Sequence, residues 1–438
     1  MRENVRMNAK KIFVPILAAA MITAFGGCAL NDMVDRIRGE IFENVKFEDD
    51  SSYTSVAPAE SIDCQYYNSN KTIMFGYNSL VTDSQRECYN EINQSVYKVS
   101  EEVNESGLYP IGKVTIEDKT FSENDMNLCI KAYTMDHPEV FWITNCYTYG
   151  TGGDQAVIQL YSYLSGEQCK ASIDELNSAI ENIVTSIPSG LNEYHLEKYI
   201  HNTVLDNCVY ASGVNSAEDG WEEFTVYGAL VKGSAVCEGY AHAMCLLLNK
   251  VGIECYYING YGESEPHMWN SVKVDGNWYH LDATWNDNEN TYFNYFNLTD
   301  DQIKQDHIIS PMFSELMDTD TLPDAYNVYL PECSSDSANY FVVESTYIYD
   351  FDECADTMVY DLVQAAKNGD EEFTVRFDSA MNFNDAMDEM FNKEPYYMFD
   401  YINQANKQLD SGSKLNEENL SIIILENFNS VVVKLGYV

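Results

Sequence analysis

Basic residues are scarce in this chain of 438 residues, because 25 Lys and Arg stand against 70 Asp and Glu and give a formal net charge of -45. A protein that binds nucleic acid neutralises phosphates with clustered Lys and Arg, so this balance argues against nucleic acid as a partner. We interpret the acidity as a source of solubility at a crowded surface. The hydrophobic content of 45% indicates a globular protein, and the length suggests two or three domains.

Long apolar runs are also rare, and the run at the N-terminus is short. Basic residues precede residues 12–25, which have the length of a signal-peptide core and are short for a membrane-spanning helix. The run ends in FGGC, which resembles the lipobox of bacterial lipoproteins. This resemblance implies that residues 1–28 are a lipoprotein signal peptide and that a lipid on Cys28 anchors the exported protein to the membrane, at the cell surface. A plain signal peptide or a short anchor is the alternative.

Metal-binding patterns are missing from the sequence. The 12 cysteines include no CxxC pair and no zinc-ligand spacing, and no calcium loop occurs, so we expect neither a metal nor another cofactor. Without Cys28, 11 cysteines remain (12 less one), and this odd number leaves at least one of them unpaired.

Helical and strand-like patterns divide the rest of the chain into blocks. We predict a polar tether over residues 29–60, an N-terminal α+β domain over 61–165, a central domain over 166–312, a linker over 313–338 and a C-terminal α+β domain over 339–438. The last block shows the pattern β-α-β-α-β-β. Neither flanking block carries a motif that indicates a substrate.

The central block contains the stretch VCEGYAHAMC at the start of a strongly helical run. Cys237 lies at the front of this predicted helix, which ends before Gly252. A thiol at that position is close to the positive end of the helix dipole and to free backbone N–H groups, both of which favour the thiolate. Those N–H groups could also hold a developing oxyanion. The alternative is a structural thiol, as we expect for Cys245 two turns further on.

The stretch HMWNSVKVDGNWYHLDATW predicts a β-hairpin whose turn is the Asp-Gly pair. In this register His267 faces Thr284 and Asp282 faces Trp269. His267 and Asp282 are then diagonal neighbours on one face of the sheet, roughly 7–8 Å apart at the backbone, and their side chains can hydrogen-bond. A slip of one residue would separate them. His280 lies further towards the turn.

These three side chains suit nucleophilic catalysis. Cys237 needs a partner that takes up its proton and returns a proton to a leaving amine, and His267 can titrate near neutral pH. Asp282 would fix the tautomer of the imidazole and stabilise the imidazolium. Attack of Cys237 on an amide would give a thioester, which water or an amine then resolves.

The segments GSAVCEGYA and GYGESEPHMWNSVKVDGNWYHLDATW together resemble the transglutaminase-like domain of bacterial surface proteins, a branch of the papain-like superfamily. The resemblance implies an α+β fold in which N-terminal helices pack on an antiparallel sheet, flanked here by two small α+β domains. It also implies a catalytic triad of Cys237, His267 and Asp282. Tyr227 lies where the superfamily often has a donor on the oxyanion side, and packing is the alternative role for it.

The resemblance implies an enzyme that transfers acyl groups from protein or peptide amides, either a transglutaminase-like cysteine acyltransferase or a cysteine peptidase. Hydrolysis and amine transfer differ only in what resolves the thioester. The alternative function is a surface module for binding, adhesion or cell-wall attachment that uses the same fold without catalysis.

Overall fold

The computed structural model describes residues 53–55, 74–152, 154–263, 265–287, 293–310, 330–416 and 420–438. The predicted signal peptide and Cys28 lie outside these residues. Of the described residues, 43% are helical and 24% lie in strands, which confirms a mixed helix-and-strand fold. The described residues fall into two compact units, Met1–Tyr292 with Asp306–Glu332 and Phe293–Gln305 with Cys333–Val438. No helix in the described part of the chain is long and apolar enough to cross a membrane.

The first half of the first unit combines helices with short strands. In chain order these elements are β1 (Tyr53–Ser55), α1 (Phe75–Ser79), α2 (Asp83–Ser95), β2 (Lys98–Ser100), β3 (Tyr109–Pro110), β4 (Val114–Ile116), α3 (Glu123–Asp136), β5 (Ile143–Gly152) and β6 (Gln155–Ser162). Strand β6 pairs with β3, β4 and β5. A capping box of Thr82 and Gln85 starts α2. The helical pattern of the sequence runs on to residue 103, but α2 ends at Ser95 because the chain turns into β2, which pairs with β1.

The second half of the first unit holds the elements that form the candidate site. They are α4 (Gly166–Ser186), α5 (Glu193–Asn207), β7 (Val209–Tyr210), α6 (Ala217–Gly220), β8 (Ser234–Ala235), α7 (Cys237–Lys250), β9 (Cys255–Gly262), β10 (Glu265–Val274), β11 (Asn277–Leu281) and α8 (Ala283–Asn286). Two further elements follow, α9 (Asp300–Ile303) in the second unit and β12 (His307–Ile309) in the first.

An antiparallel sheet with the strand order β11-β10-β9-β12 supports this half of the unit. Helix α7 is apolar on most sides, and Tyr240, Met244 and Leu247 are fully buried. Such a helix must be covered all round, which explains why it is central to the fold. Helices with an antiparallel sheet are the architecture that the resemblance implied for the central domain.

The second unit continues with α10 (Tyr340–Val343), β13 (Thr346–Ile348), α11 (Ala355–Asn368), β14 (Glu372–Phe377), α12 (Phe383–Phe391), α13 (Tyr397–Asn406), β15 (Ser421–Leu425) and β16 (Ser430–Lys434). Its sheet has the order β13-β14-β16-β15, with β13 parallel to β14. From β13 onward the elements follow the predicted β-α-β-α-β-β order, with α13 as an additional helix.

Candidate active site

The hairpin of β10 and β11 has the register that the Asp-Gly turn predicts. Val274 pairs with Asn277, and the ladder continues to Asn270 and Leu281. Both turn residues have positive φ, at 49° for Asp275 and 86° for the glycine that follows, as a two-residue hairpin turn requires.

The ladder ends earlier than the sequence suggested. Asp282 does not face Trp269 in a strand, because the chain leaves the sheet after Leu281. Asp282 is instead the N-cap of α8, and its Oδ1 accepts a hydrogen bond from the backbone N–H of Trp285 at 3.0 Å. Thr284 lies inside this short helix and does not face His267. Asp is among the residues that best cap a helix, and this local preference overrides strand extension here.

His267 and Asp282 nevertheless meet. The Nε2 atom of His267 lies 2.7 Å from the Oδ2 atom of Asp282. Their side chains are 7% and 0% exposed, so the bond is shielded from water. A charged hydrogen bond in such surroundings is stronger than one in solvent.

Cys237 is the first residue of α7 and is partly exposed. Its sulfur is close enough to the His267 ring to raise the pKa of that imidazole, and the ring in turn hydrogen-bonds Asp282. The N-cap residue, Val236, has no side-chain acceptor for the first N–H groups of the helix. Gly239 allows the helix to start close to the preceding chain, because a Cβ there would lie 2.7 Å from the carbonyl oxygen of Glu223. The structure therefore brings the three predicted triad residues together at a helix N-terminus.

The charges of the site favour a protonated imidazole at His267 and an ionised carboxylate at Asp282. Burial alone would lower the pKa of His267, but the Asp282 carboxylate and the Cys237 sulfur raise this pKa to about 10. Burial would raise the pKa of Asp282, but the charges of and hydrogen bonds from His267 and His307 outweigh burial and hold this pKa far below its ordinary value. At neutral pH His267 is thus an imidazolium beside an ionised carboxylate.

His307 is a site residue that the sequence reasoning missed. It starts the edge strand β12, is fully buried, and places its Nε2 atom 3.1 Å from the same Oδ2 atom of Asp282. Its Nδ1 atom lies 2.6 Å from Oδ1 of Asp306. The signal in the sequence was the KQDH segment, but nothing local links it to a carboxylate 25 residues earlier.

Two indole rings enclose these imidazoles. Trp285 lies 4.2 Å from His307 and 5.5 Å from His267 between ring centroids, and Trp269 lies 5.0 Å and 5.9 Å from the same rings. Glycines in β9 make room for the indoles. A Cβ at Gly260 would lie 2.6 Å from the Trp269 ring, and a Cβ at Gly262 would lie 2.6 Å from the Trp285 ring.

A third buried histidine approaches the site from α5. His201 accepts a hydrogen bond at Nε2 from the side-chain amide of Asn286, at 3.1 Å. Burial lowers the pKa of His201 to about 4, so this ring is neutral at pH 7. It supports the end of α8, the helix that Asp282 caps.

Tyr227 does not join the triad in this structure. Its hydroxyl donates to the carboxylate of Glu175, and its ring stacks on Phe141 at 4.8 Å between centroids. A phenol has one proton to donate, and Glu175 already accepts it. This arrangement favours the packing alternative for Tyr227.

The other cysteines differ from Cys237 in their surroundings. All ten cysteines in the described part of the chain are free thiols, and eight of them are buried. Cys245 is buried, as expected for a core thiol, with its sulfur 3.7 Å from that of Cys255. Cys146 is the exposed thiol among the ten.

The same cluster contains atoms that could ligate a metal ion. His267, Asp282 and His307 each offer one ligand atom, and these atoms lie within 4.8 Å of one another. The hydrogen bonds from both imidazoles to one carboxylate already satisfy these atoms.

Among solved structures, the chain is similar to a TGase, with a TM-score of 0.24 and 14% identity over 39% of this chain and 50% of that chain. It is also similar to a proposed cysteine protease from Cytophaga hutchinsonii, with a TM-score of 0.22 and 14% identity over 32% of this chain and 61% of that chain. A proposed protease from Parabacteroides distasonis matches with a TM-score of 0.24 and 8% identity over 67% of this chain and 61% of that chain. The chain thus spans half to three fifths of the length of these proteins.

No curated protein matches the sequence. A family model does match residues 182–283, and its description is the transglutaminase-like superfamily. This segment includes Cys237, His267 and Asp282 and ends before His307. The chain therefore contains a domain of the transglutaminase-like superfamily.

Proposed function

We propose that this protein is a cysteine enzyme that transfers acyl groups from protein or peptide amides through a thioester on Cys237. The observation that carries the proposal is the series Cys237, His267 and Asp282, in which Cys237 begins α7, its sulfur raises the pKa of the His267 ring, and that ring hydrogen-bonds Asp282 at 2.7 Å. A series of this kind activates a thiol in a way that isolated core cysteines do not share.

The steps follow from where the protons lie. The Cys237 thiolate attacks the carbonyl carbon of the amide, and a tetrahedral oxyanion forms. The His267 imidazolium then gives its proton to the leaving nitrogen, the C–N bond breaks, and the thioester remains. Water or an amine loses a proton to His267 as it attacks the thioester, and the thiolate is released. Asp282 keeps the imidazole oriented throughout.

Three groups specify the reaction. They are the leaving nitrogen, the acyl group that remains on Cys237 and the nucleophile that resolves the thioester. A site open to water favours hydrolysis, and a closed site favours amines. We further propose that the protein acts outside the cytoplasm and is anchored through a lipid on Cys28. This part rests on the FGGC motif after a basic, apolar N-terminus.

One experiment tests thiol activation before any substrate is known. The full chain is treated briefly with limiting iodoacetamide at pH 7, and each thiol is quantified by peptide mapping. Cys237 is expected to react faster than Cys146, although Cys146 is the more exposed of the two. Equal rates, or faster reaction at Cys146, would contradict the proposal.

A second experiment identifies the reaction. The full chain is incubated with a peptide library and an amine donor, and the masses of the products are recorded. A loss of peptide mass by cleavage indicates hydrolysis, and a gain equal to the amine less ammonia indicates transfer. Cys237→Ala is the matched control and should give neither product.

The alternative is a surface module that binds without catalysis. It gains support if Cys237 reacts no faster than Cys146 and no peptide changes mass. Replacing Cys28 with Ala tests the anchor separately, because the protein should then be released from membranes or remain unprocessed.

A further inference from the structure

One carboxylate oxygen in the site accepts from two imidazoles. Oδ2 of Asp282 lies 2.7 Å from Nε2 of His267 and 3.1 Å from Nε2 of His307, while Oδ1 accepts from the Trp285 backbone. A cysteine–histidine–carboxylate mechanism needs only the first of these bonds. The second donor shares the negative charge of the same oxygen, and this sharing reduces the charge available to the bond from His267.

His307 has carboxylates at both ring nitrogens. Nε2 faces Asp282 and Nδ1 faces Asp306, and an ionised carboxylate only accepts hydrogen bonds. Each nitrogen of the His307 ring therefore lies within hydrogen-bond distance of a carboxylate oxygen. The Asp306 side chain is 35% exposed, whereas the His307 ring is fully buried.

Aromatic walls hold the His307 ring in place. The Trp285 ring centroid lies 4.2 Å from that of His307, and Trp269 makes a T-shaped contact with it at 5.0 Å. The His307 and His267 ring centroids are 5.4 Å apart, so two imidazoles lie on one carboxylate.

We propose that His307 is a positioning residue that shares Asp282 with His267 and limits how tightly the carboxylate holds the proton of His267. The inference rests on the proposed function, because the bond from Nε2 to Asp282 sets the acidity of the opposite ring nitrogen, Nδ1, from which His267 must give a proton to the leaving nitrogen. A histidine held too firmly by its carboxylate is a poor acid. His307, itself held by Asp306, keeps the acid usable.

The other ionisable groups near Asp282 do not fit this role. His201 senses the charge of Asp282 but is neutral at pH 7 and bonds Asn286. Tyr210 is influenced by Cys237 and Asp282, but it is half exposed and is neutral at pH 7, because burial and these charges raise its pKa.

The test measures the His267–Asp282 bond directly. The full chain is labelled with ¹⁵N-histidine, which gives seven labelled residues, and the proton on Nε2 of His267 is observed at low field by NMR. The parent is compared with His307→Gln and Asp306→Asn at one pH. His242→Gln is the matched control, since that ring packs on Tyr257 and lies away from Asp282.

With His307 replaced, Asp282 binds His267 more strongly, so the His267 proton should move further downfield. In Asp306→Asn the shift should have the same sign and be smaller, because His307 keeps its bond to Asp282 but loses a supporting charge. The control should leave the signal in place. These results together support the role of His307.

Two outcomes overturn the inference. An unchanged His267 signal in both variants would show that His307 only fills space. An upfield shift or loss of the signal, in protein that still melts cooperatively, would show that His307 holds the pair together and does not compete. Because Asp306 lies at the surface, Asp306→Asn still decides the question if His307→Gln does not fold.

The NMR result is separable from the proposed function. Slow alkylation of Cys237 in the parent would defeat the enzyme proposal while the proton shifts could still occur. Rapid alkylation of Cys237 with unmoved proton signals would defeat only the inference about His307.

Discussion

Two four-stranded sheets in this protein differ in the kind of side chain that is buried next to them. The sheet β11-β10-β9-β12 has ionisable side chains buried at one end, with Asp282 and His307 fully enclosed. The sheet β13-β14-β16-β15 covers an apolar core that includes Leu362, Val375 and Val431. Its ion pair of Lys434 and Glu372 is at the surface. Buried charge costs stability unless it is paired, and its presence in only one of these sheets identifies the sheet at which we propose the chemistry takes place.

The largest effect should come from His267→Ala. Cys237 would lose the imidazolium that stabilises its thiolate, and the leaving nitrogen would lose its acid. Turnover should fall by roughly 10³-fold or more once a substrate is found, and rapid alkylation of Cys237 should disappear in any case. Asp378→Asn, at the surface of the second unit, is the control and should change neither rate. If Cys237 were still alkylated rapidly in His267→Ala, the assignment of the chemistry to the first of the two sheets would be wrong.

Asp282→Asn should have the next largest effect. An amide keeps the shape of the side chain, but it favours the wrong tautomer of His267, so kcat/KM should fall by about 10²–10⁴-fold. The double variant with His267→Ala should be little worse than His267→Ala alone, because residues that act as one unit are not additive. Full activity in Asp282→Asn would contradict the assigned role.

A core substitution in the second unit should separate stability from chemistry. Leu362→Ala removes a fully buried side chain from the apolar cluster and should cost about 2–5 kcal/mol of unfolding free energy. Below the melting transition the alkylation rate of Cys237 should match the parent rate. Urea denaturation and peptide mapping provide the two measurements, and a slowed Cys237 would show that the apolar sheet also serves the site.

A further effect should appear in the pH dependence of stability. The folded pKa of His267 is about 10 against an ordinary value of 6.5, so its charged form stabilises the fold below pH 6.5. This contribution is lost as pH rises from 6.5 through about 10. The difference in Tm between the parent and His267→Gln should therefore shrink over that range. His195→Gln, which removes an exposed imidazole, should show no such trend.

Much of the site could be predicted because its parts lie in local patterns. The Asp-Gly turn determines the hairpin register, and helical periodicity places Cys237 at the start of α7. The sequence did not predict the capping role of Asp282, because LDATW continues the alternation of the preceding strand. In the structure, Asp282 caps a short helix, and the chain leaves the sheet at this point.

His307 could not be predicted in the same way. It reaches Asp282 from the edge strand β12, whose pairing with β9 depends on tertiary structure and not on any nearby repeat or turn. For Tyr227, sequence alone gave two roles, and only the contacts with Glu175 and Phe141 distinguish them. The predicted domain boundaries and the lipid on Cys28 stay predictions.

The two glycines of β9 have a consequence for how the proposed activity could be lost during evolution. Gly260 and Gly262 are neither acid, base nor nucleophile, yet a single methyl group at either position would collide with Trp269 or Trp285. The displaced indole would shift both imidazoles while Cys237, His267 and Asp282 stayed in the sequence. A descendant could thus keep all three proposed triad residues and still be inactive. Inspection of the triad residues alone would miss this loss, whereas inspection of Gly260 and Gly262 would reveal it.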